Sequence, residues 1–370
     1  MKTRAAVLRE IGAEWSIEEI ELDEPQVGEI LVKTLAAGMC HSDEHAHDGS
    51  MPVPLPIVGG HEGSGVVVAL GPGVTEFEVG DHISCSFIPS CGKCRWCASG
   101  QQNLCDLGAQ LLDPGMITGG FRHHTADGTD LTPLLKLGTF AEHMVLSVDS
   151  AIKIQKDIPP GPAALVSCGV TTGYGSAVNR AEVKAGDTVI VVGCGGLGTA
   201  AIQGAKVAGA KNVVAIDPSE FKRESAMEFG ATHTAPSMEE AMESVGAMTE
   251  GVMADSVILT PGTLTGDLIA PAQFLTRKGG TVVATAVAPA AQMDVQLNLF
   301  MFSMMNQELK GCLFGSTSPR AEIPNLLSMY QAGQLKLDEM ITRTYTLDEV
   351  NEGYADMLAN KNIRGVITFD

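Results

Sequence analysis

Over roughly the first hundred residues, short apolar runs alternate with glycine and proline, as in GEILVKTLAAG and GSGVVVALGPGV, a pattern that predicts short strands joined by turns. From Lys184 the pattern changes. The stretch AGDTVIVVGCGGLGTAAIQGAKVAGAKNVVAID reads strand, glycine turn, helix, strand, and KGGTVVATAVAP supplies another buried strand. Continuous Val, Ile and Ala runs separated by helical segments predict a parallel sheet covered on both faces. Past Gly315 a mixed pattern returns, with NLLSMYQAG as an apolar-faced helix and GVITFD as a final strand. Nothing repeats at a fixed period. The simplest architecture is an α/β chain in which a doubly wound, parallel-sheet dinucleotide domain, 171–314, interrupts a mostly-β domain made of 1–170 and 315–370.

Composition narrows the function classes. A formal net charge of −20 argues against a nucleic-acid partner, because such binding rests on clustered cations that displace counterions. No apolar run reaches the roughly 18 to 20 residues a membrane span needs, and the start, MKTRAAVLREIGAEW, lacks an apolar leader. A soluble, cytoplasmic protein without a membrane partner is expected, and in that reducing compartment the nine cysteines are free to bind metal.

Four of those cysteines, Cys91, Cys94, Cys97 and Cys105, fall in the polar, glycine-containing segment SCGKCRWCASGQQNLC, where no hydrophobic period accounts for them. Zinc takes thiolate sulfur at roughly 2.3 Å, and four thiolates leave no open position, so the ladder reads as a closed structural zinc site. Disulfides or an iron–sulfur cluster are the alternatives, disfavoured by compartment and spacing. Cys85, Cys194 and Cys312 read as small buried hydrophobes.

Gly193, Gly195 and Gly198 form G-x-G-x-x-G directly after TVIVV and at the start of a helical segment that includes Gly196 and Leu197. In that context the first glycine serves the turn, the second admits a pyrophosphate and the third packs helix on strand. Asp217 closes the next strand, NVVAID, where a carboxylate accepts from ribose hydroxyls and repels a 2′-phosphate, selecting NAD over NADP. Lys222 lies within reach of the same ribose, although an exposed helix lysine is the competing reading. Turn-forming glycines and a solvated Asp217 are the bland alternative for the whole motif.

The segments GMCHSDEH and GGHEG are rich in metal ligands. Cys40 and His61 could share a zinc with Cys168, and two thiolates with one imidazole leave a fourth position open for chemistry. Taken singly, Cys168 reads as a core cysteine.

Together GMCHSDEH, GGHEGSG, the cysteine ladder, SCGVTTGYG, VGCGGLG and NIRGVITF make the chain resemble the zinc-dependent medium-chain alcohol dehydrogenases over essentially its whole length. The resemblance implies a GroES-like catalytic domain joined to a Rossmann domain, two zinc ions per chain, NAD(H), and Cys168 as third ligand of the catalytic zinc. It also implies that Ser42 takes the alcohol proton and passes it by way of a cofactor ribose hydroxyl to a solvent-facing His45. By the same resemblance Asp43 orients His61, Glu62 lies behind the zinc, and His41 and Arg364 contact pyrophosphate. Thr172 would contact the cofactor and the backbone of Ala286, Val287 and Ala288 would hold the nicotinamide carboxamide, while Met51 and Phe87 would line the substrate pocket. His47, His82, His123 and His124 match no role and read as loop histidines.

FIPSCGKCRWC, QNLCDLGA, GVMADSVILTPG and KNIRGVI are most similar to the actinobacterial nicotinoprotein branch, assayed with N,N-dimethyl-4-nitrosoaniline (NDMA). That likeness implies NAD(H) that stays bound and is recycled by an external acceptor such as mycofactocin, with primary, bulky or aromatic alcohols going to aldehydes. The alternative is an ordinary enzyme with dissociable NAD. Glutathione-adduct oxidation is disfavoured, because Met51 and Ala109 stand where that branch carries ionic grips. A catalytically silent NAD-binding relative would be expected to lose a ligand or relay residue, and none is lost. A homodimer or homotetramer through sheet edges is expected.

Overall fold

Apolar residues alternate or run together in KTRAAVL and EILVKTLAAG, and both segments bury these side chains in strands, Lys2–Leu8 and Glu29–Gly38. In the computed structural model, which describes residues 1–370, the chain divides into two units, Met1–Cys168 with Ser318–Asp370, and Gly169–Thr317.

In the first unit Lys2–Leu8, Ser16–Leu22, His123–His124, Asp130–Pro133 and Ile57–Val58 close a five-stranded barrel. Beside it runs a seven-stranded sheet in which Glu62–Leu70, Glu29–Gly38 and Arg364–Thr368 are neighbours. Ile30, Val32, Val67, Ile83, Met144 and Leu146 form a solvent-free core against this sheet. Burying a side chain of that size contributes about 1.5 to 3 kcal/mol. The final strand pairs antiparallel with Glu29–Gly38, which explains why the last residues return to the first unit.

The second unit is a six-stranded, all-parallel sheet. Numbered along the chain from Thr188–Val192 to Glu308–Gly311, its strands lie in the order 3-2-1-4-5-6, the doubly wound arrangement that reverses direction at the first strand. Ile190, Val214, Val257, Leu259 and Val282 are buried on one face with residues of the helices Met238–Met248 and Ile269–Leu275. On the other face Val189 and Val191 are equally solvent-free, so the runs stay apolar rather than alternating. No helix of the chain is long and apolar enough to cross a membrane.

Candidate metal centres and cofactor site

Three neighbouring strands of the first unit converge at one end. Glu29–Gly38 runs into Met39 and Cys40, Glu62–Leu70 starts beside His61, and Arg364 opens the last strand; Gly38 pairs with Glu62 on one side and Val366 on the other. A Cβ on Gly38 would stand 2.1 Å from the Glu62 carboxylate and 2.9 Å from the Arg364 guanidinium, so only glycine fits there. Cys168 arrives two residues beyond the helix cap Val166 that follows Pro160–Leu165. Ser167 fixes it: its hydroxyl accepts from the Gly63 amide at 3.1 Å and donates to the Ala164 carbonyl.

The result is a cluster in which one ligand atom each from Cys40, His61, Glu62 and Cys168 lies within 4.8 Å of all the others. His61 is solvent-free, and its Nδ1 is 3.1 Å from the Asp43 carboxylate, which holds the ring with Nε2 inward. That Nε2 is buried without a hydrogen-bond partner. An unpaired ring nitrogen costs free energy in the interior unless something meets it, and the two cysteine sulfurs gathered with it are donors suited to a soft cation such as zinc. Asp43 also accepts from the amides of Gly60 at 3.1 Å and Cys40 at 3.3 Å, so a single carboxylate orients both ligand-bearing segments.

Electrostatics suit a cation. A hydrogen bond from Cys168, acting against burial and aided by His61 and Arg364, holds the Cys40 thiol well below its ordinary value. Burial lifts the Glu62 carboxyl to about 7, against the attraction of Arg364. Arg364 is itself buried and pairs with Glu62, while its Nε has no protein partner. Phe87 packs edge-on to the His61 ring at 5.8 Å, and Met51 and Phe87 border the same apolar cluster.

Ser42 Oγ lies 3.8 Å from the Cys40 sulfur. His45 departs from expectation: it is buried rather than solvent-facing, and its Nδ1 meets the half-buried Ser50 hydroxyl at 2.8 Å. The chain turns back where the Met51 amide bonds the His45 carbonyl at 2.8 Å, which returns Ser50 to the ring. Ser50 carried no sequence signal, since a serine in a turn is common. His41 opens the same short helix, His41–His47, half-buried.

The cysteine ladder also closes on itself. Its four sulfurs lie within 4.8 Å of one another, with Cys91 and Cys97 at 3.9 Å and every cysteine free of disulfides. Sulfurs on a tetrahedral zinc stand roughly 3.8 Å apart, as the bond length requires. The Cys94 amide bonds the Cys91 sulfur and the Cys97 amide the Cys94 sulfur, each at 3.4 Å. The amides of Cys97 and Asp106 bring the Cys94 thiol down to about 6, toward the thiolate a metal takes.

In the second unit Gly193 has φ +91°, and a Cβ there would stand 2.5 Å from the Thr260 carbonyl. A Cβ on Gly198 would overlap the Gly193 carbonyl at 1.8 Å, whereas one on Gly195 would meet nothing within 4 Å. The turn is thus tight where helix meets strand and open at its middle glycine, ahead of the helix Gly196–Val207, as a pyrophosphate requires. Asp217 follows the strand Asn212–Ile216 and accepts from the amides of Cys194 at 2.8 Å and Ser219 at 2.9 Å. Lys222 is half-buried one turn on. Thr172 Oγ1 is buried without a partner, and the Val287 carbonyl is engaged by the Leu264 amide at 2.9 Å while Ala286 and Ala288 flank it.

Two further expectations are corrected. Cys312 is half-buried and bonded to Ser176, unlike the buried Cys85 and Cys194. His82, His123 and His124 lie in strands and His47 in a helix, so none is a loop residue. His123 is fully enclosed with both ring nitrogens unpartnered.

The family model for the alcohol dehydrogenase GroES-like domain matches residues 26–156, and that for the zinc-binding dehydrogenases matches 196–332. The chain is 50% identical to an NDMA-dependent alcohol dehydrogenase of Amycolatopsis methanolica over 99% of both chains. It is 47% identical to alcohol dehydrogenase B of Mycobacterium tuberculosis over 100% of this chain and 99% of that one. Benzyl alcohol dehydrogenase from Acinetobacter calcoaceticus superposes with a TM-score of 0.91 at 27% identity, with both chains fully covered. The chain therefore belongs to the zinc-dependent, medium-chain alcohol dehydrogenases, close to their NDMA-dependent members.

Proposed function

We propose that the protein oxidises primary alcohols to aldehydes with two zinc ions and a resident NAD(H). Cys40, His61 and Cys168 would hold the catalytic zinc, the four ladder cysteines the structural one, and the glycine turn with Asp217 the dinucleotide. Zinc would supply Lewis-acid polarisation of an alcohol oxygen, and NAD the ring that accepts hydride. The observation that carries this reading is the buried, unpaired His61 Nε2 facing two cysteine sulfurs.

The chain's own groups do the remaining work. Asp43 holds the His61 tautomer, and the Glu62–Arg364 pair supplies charge behind the ligands. Ser42, beside Cys40, would take the alcohol proton at Oγ. His45 would carry that proton onward, with Ser50 at its Nδ1 as the next acceptor. Met51 and Phe87 would give an apolar pocket for bulky or aromatic alcohols, a preference supported by likeness to the benzyl alcohol enzyme. His41, Arg364 and Lys222 remain the candidates for contacts to phosphate and ribose.

The 50% identity to an NDMA-dependent enzyme supports retained NAD recycled by an external acceptor, for which mycofactocin is the proposed carrier. A cytoplasmic homodimer or homotetramer fits the second unit. Its edge strand Glu308–Gly311 has one neighbour only, and Leu299, Phe300 and Met304 nearby in sequence are exposed.

Metal analysis with activity tests the reading. Cys168→Ser should retain the structural zinc, lose catalytic zinc, and lower turnover by at least about a hundredfold. A Cys168→Ser protein with full zinc content and full turnover would remove the proposed ligand set.

A further inference from the structure

Ser176 is a solvent-free hydroxyl at the point where the helix Gly169–Gly175 widens into a π-turn, Ser176–Arg180. π-turns inside helices are frequent at functional sites. Ser176 Oγ lies 2.6 Å from the Thr172 carbonyl one turn back, 3.0 Å from Thr285 Oγ1 and 3.5 Å from the Cys312 sulfur. Proton counting sets the directions. A carbonyl can only accept, so the single Ser176 proton goes to Thr172, and both lone pairs receive, from the Thr285 hydroxyl and the Cys312 thiol. The Cys312 sulfur in turn lies 3.7 Å from the Ser316 hydroxyl.

This one oxygen ties together the helix that carries Thr172, the exit of strand Thr276–Ala284 just before Ala286–Ala288, and the exit of strand Glu308–Gly311. Backbone packing reinforces the junction. A Cβ on Gly175 would stand 2.3 Å from the Gly315 carbonyl, and Asn179 Nδ2 donates to that same carbonyl at 3.2 Å. The hydroxyl of Thr172, one turn from Ser176, is buried and has no hydrogen-bond partner.

We propose that Ser176 is the positioning residue of the nicotinamide end of the cofactor site: it fixes three separate segments in register and so sets how tightly NAD(H) is retained. This rests on the reading that Ala286–Ala288 receive the nicotinamide and that Thr172 contacts the cofactor. Ser176, solvent-free and bonded to protein groups, would act through the segments it joins rather than by direct contact.

The test is binding of NAD and of ADP-ribose, which lacks the nicotinamide, to the nucleotide-stripped full chain by titration calorimetry. Ser176→Ala should weaken NAD about tenfold, the worth of one or two buried hydrogen bonds, and leave ADP-ribose unchanged. Ser176→Cys, which keeps a donor, should recover part of the loss. Thr285→Val cuts the same junction from the strand side and serves if Ser176→Ala does not fold. Equal weakening of both ligands, or no change in either, would overturn the proposal. If the unsubstituted chain itself bound NAD no tighter than ADP-ribose, the nicotinamide reading would fall instead.

Discussion

At single residues, the interior is specific about charge. His123 has no hydrogen-bond partner at either ring nitrogen, and burial, then the neighbouring His124, pulls its pKa down to about 4. A folded value below the unfolded one of about 6.5 means that the unfolded chain takes up the proton first. The native state therefore loses stability as pH falls from about 6.5 toward 4, by about 3 kcal/mol at the end of that window. His123→Leu should abolish this contribution, so the denaturant midpoint of the variant should rise relative to that of its parent between pH 7.5 and pH 4.5; a difference that does not change with pH would contradict it. For chemistry, Ser42→Ala should lower turnover by about a hundredfold or more while metal content holds, because the general base route is cut and no ligand is touched. Full turnover in that variant would remove Ser42 from the proton route.

At the level of elements, glycines decide where chemistry can sit. Gly198→Ala would drive a methyl into the Gly193 carbonyl and push the helix Gly196–Val207 off its strand, so NAD content should fall severalfold while zinc content stays constant. Unchanged NAD content would show that the turn is not the cofactor's cradle. The glycine turn was legible in the sequence because its spacing, its preceding apolar strand and the later Asp217 are all local. The ladder of cysteines was legible for the same reason. The convergence of Cys40, His61 and Cys168 was legible only as a possibility, since it depends on strands far apart in sequence meeting at one end of a sheet, and it took family resemblance to raise Cys168 from a core cysteine to the third ligand. Ser50, Ser167 and Ser176 escaped altogether, because a hydroxyl gains meaning from the partner it meets. His45 was misjudged for a related reason: its burial comes from the chain folding back at Met51, which composition does not announce.

For the whole molecule, the proposed metal ligands all lie in one unit and the glycine turn in the other, so stability and cofactor retention should separate experimentally. Cys97→Ser should lower the thermal midpoint by several degrees and release one zinc before NAD is lost, since a closed four-thiolate site contributes folding free energy. A variant as stable as its parent would argue against a structural zinc. The central claim, alcohol oxidation on resident NAD, has a direct measurement. Extensively dialysed protein, with no nucleotide added, is mixed with a panel of primary alcohols including benzyl alcohol, and the near-ultraviolet absorbance of NADH is followed. The account predicts a rapid rise stoichiometric with protein, discharged when nitrosoaniline is added. A zinc-replete protein that gives no NADH until free NAD is supplied would contradict retained cofactor, and one that gives none even then would contradict alcohol oxidation itself.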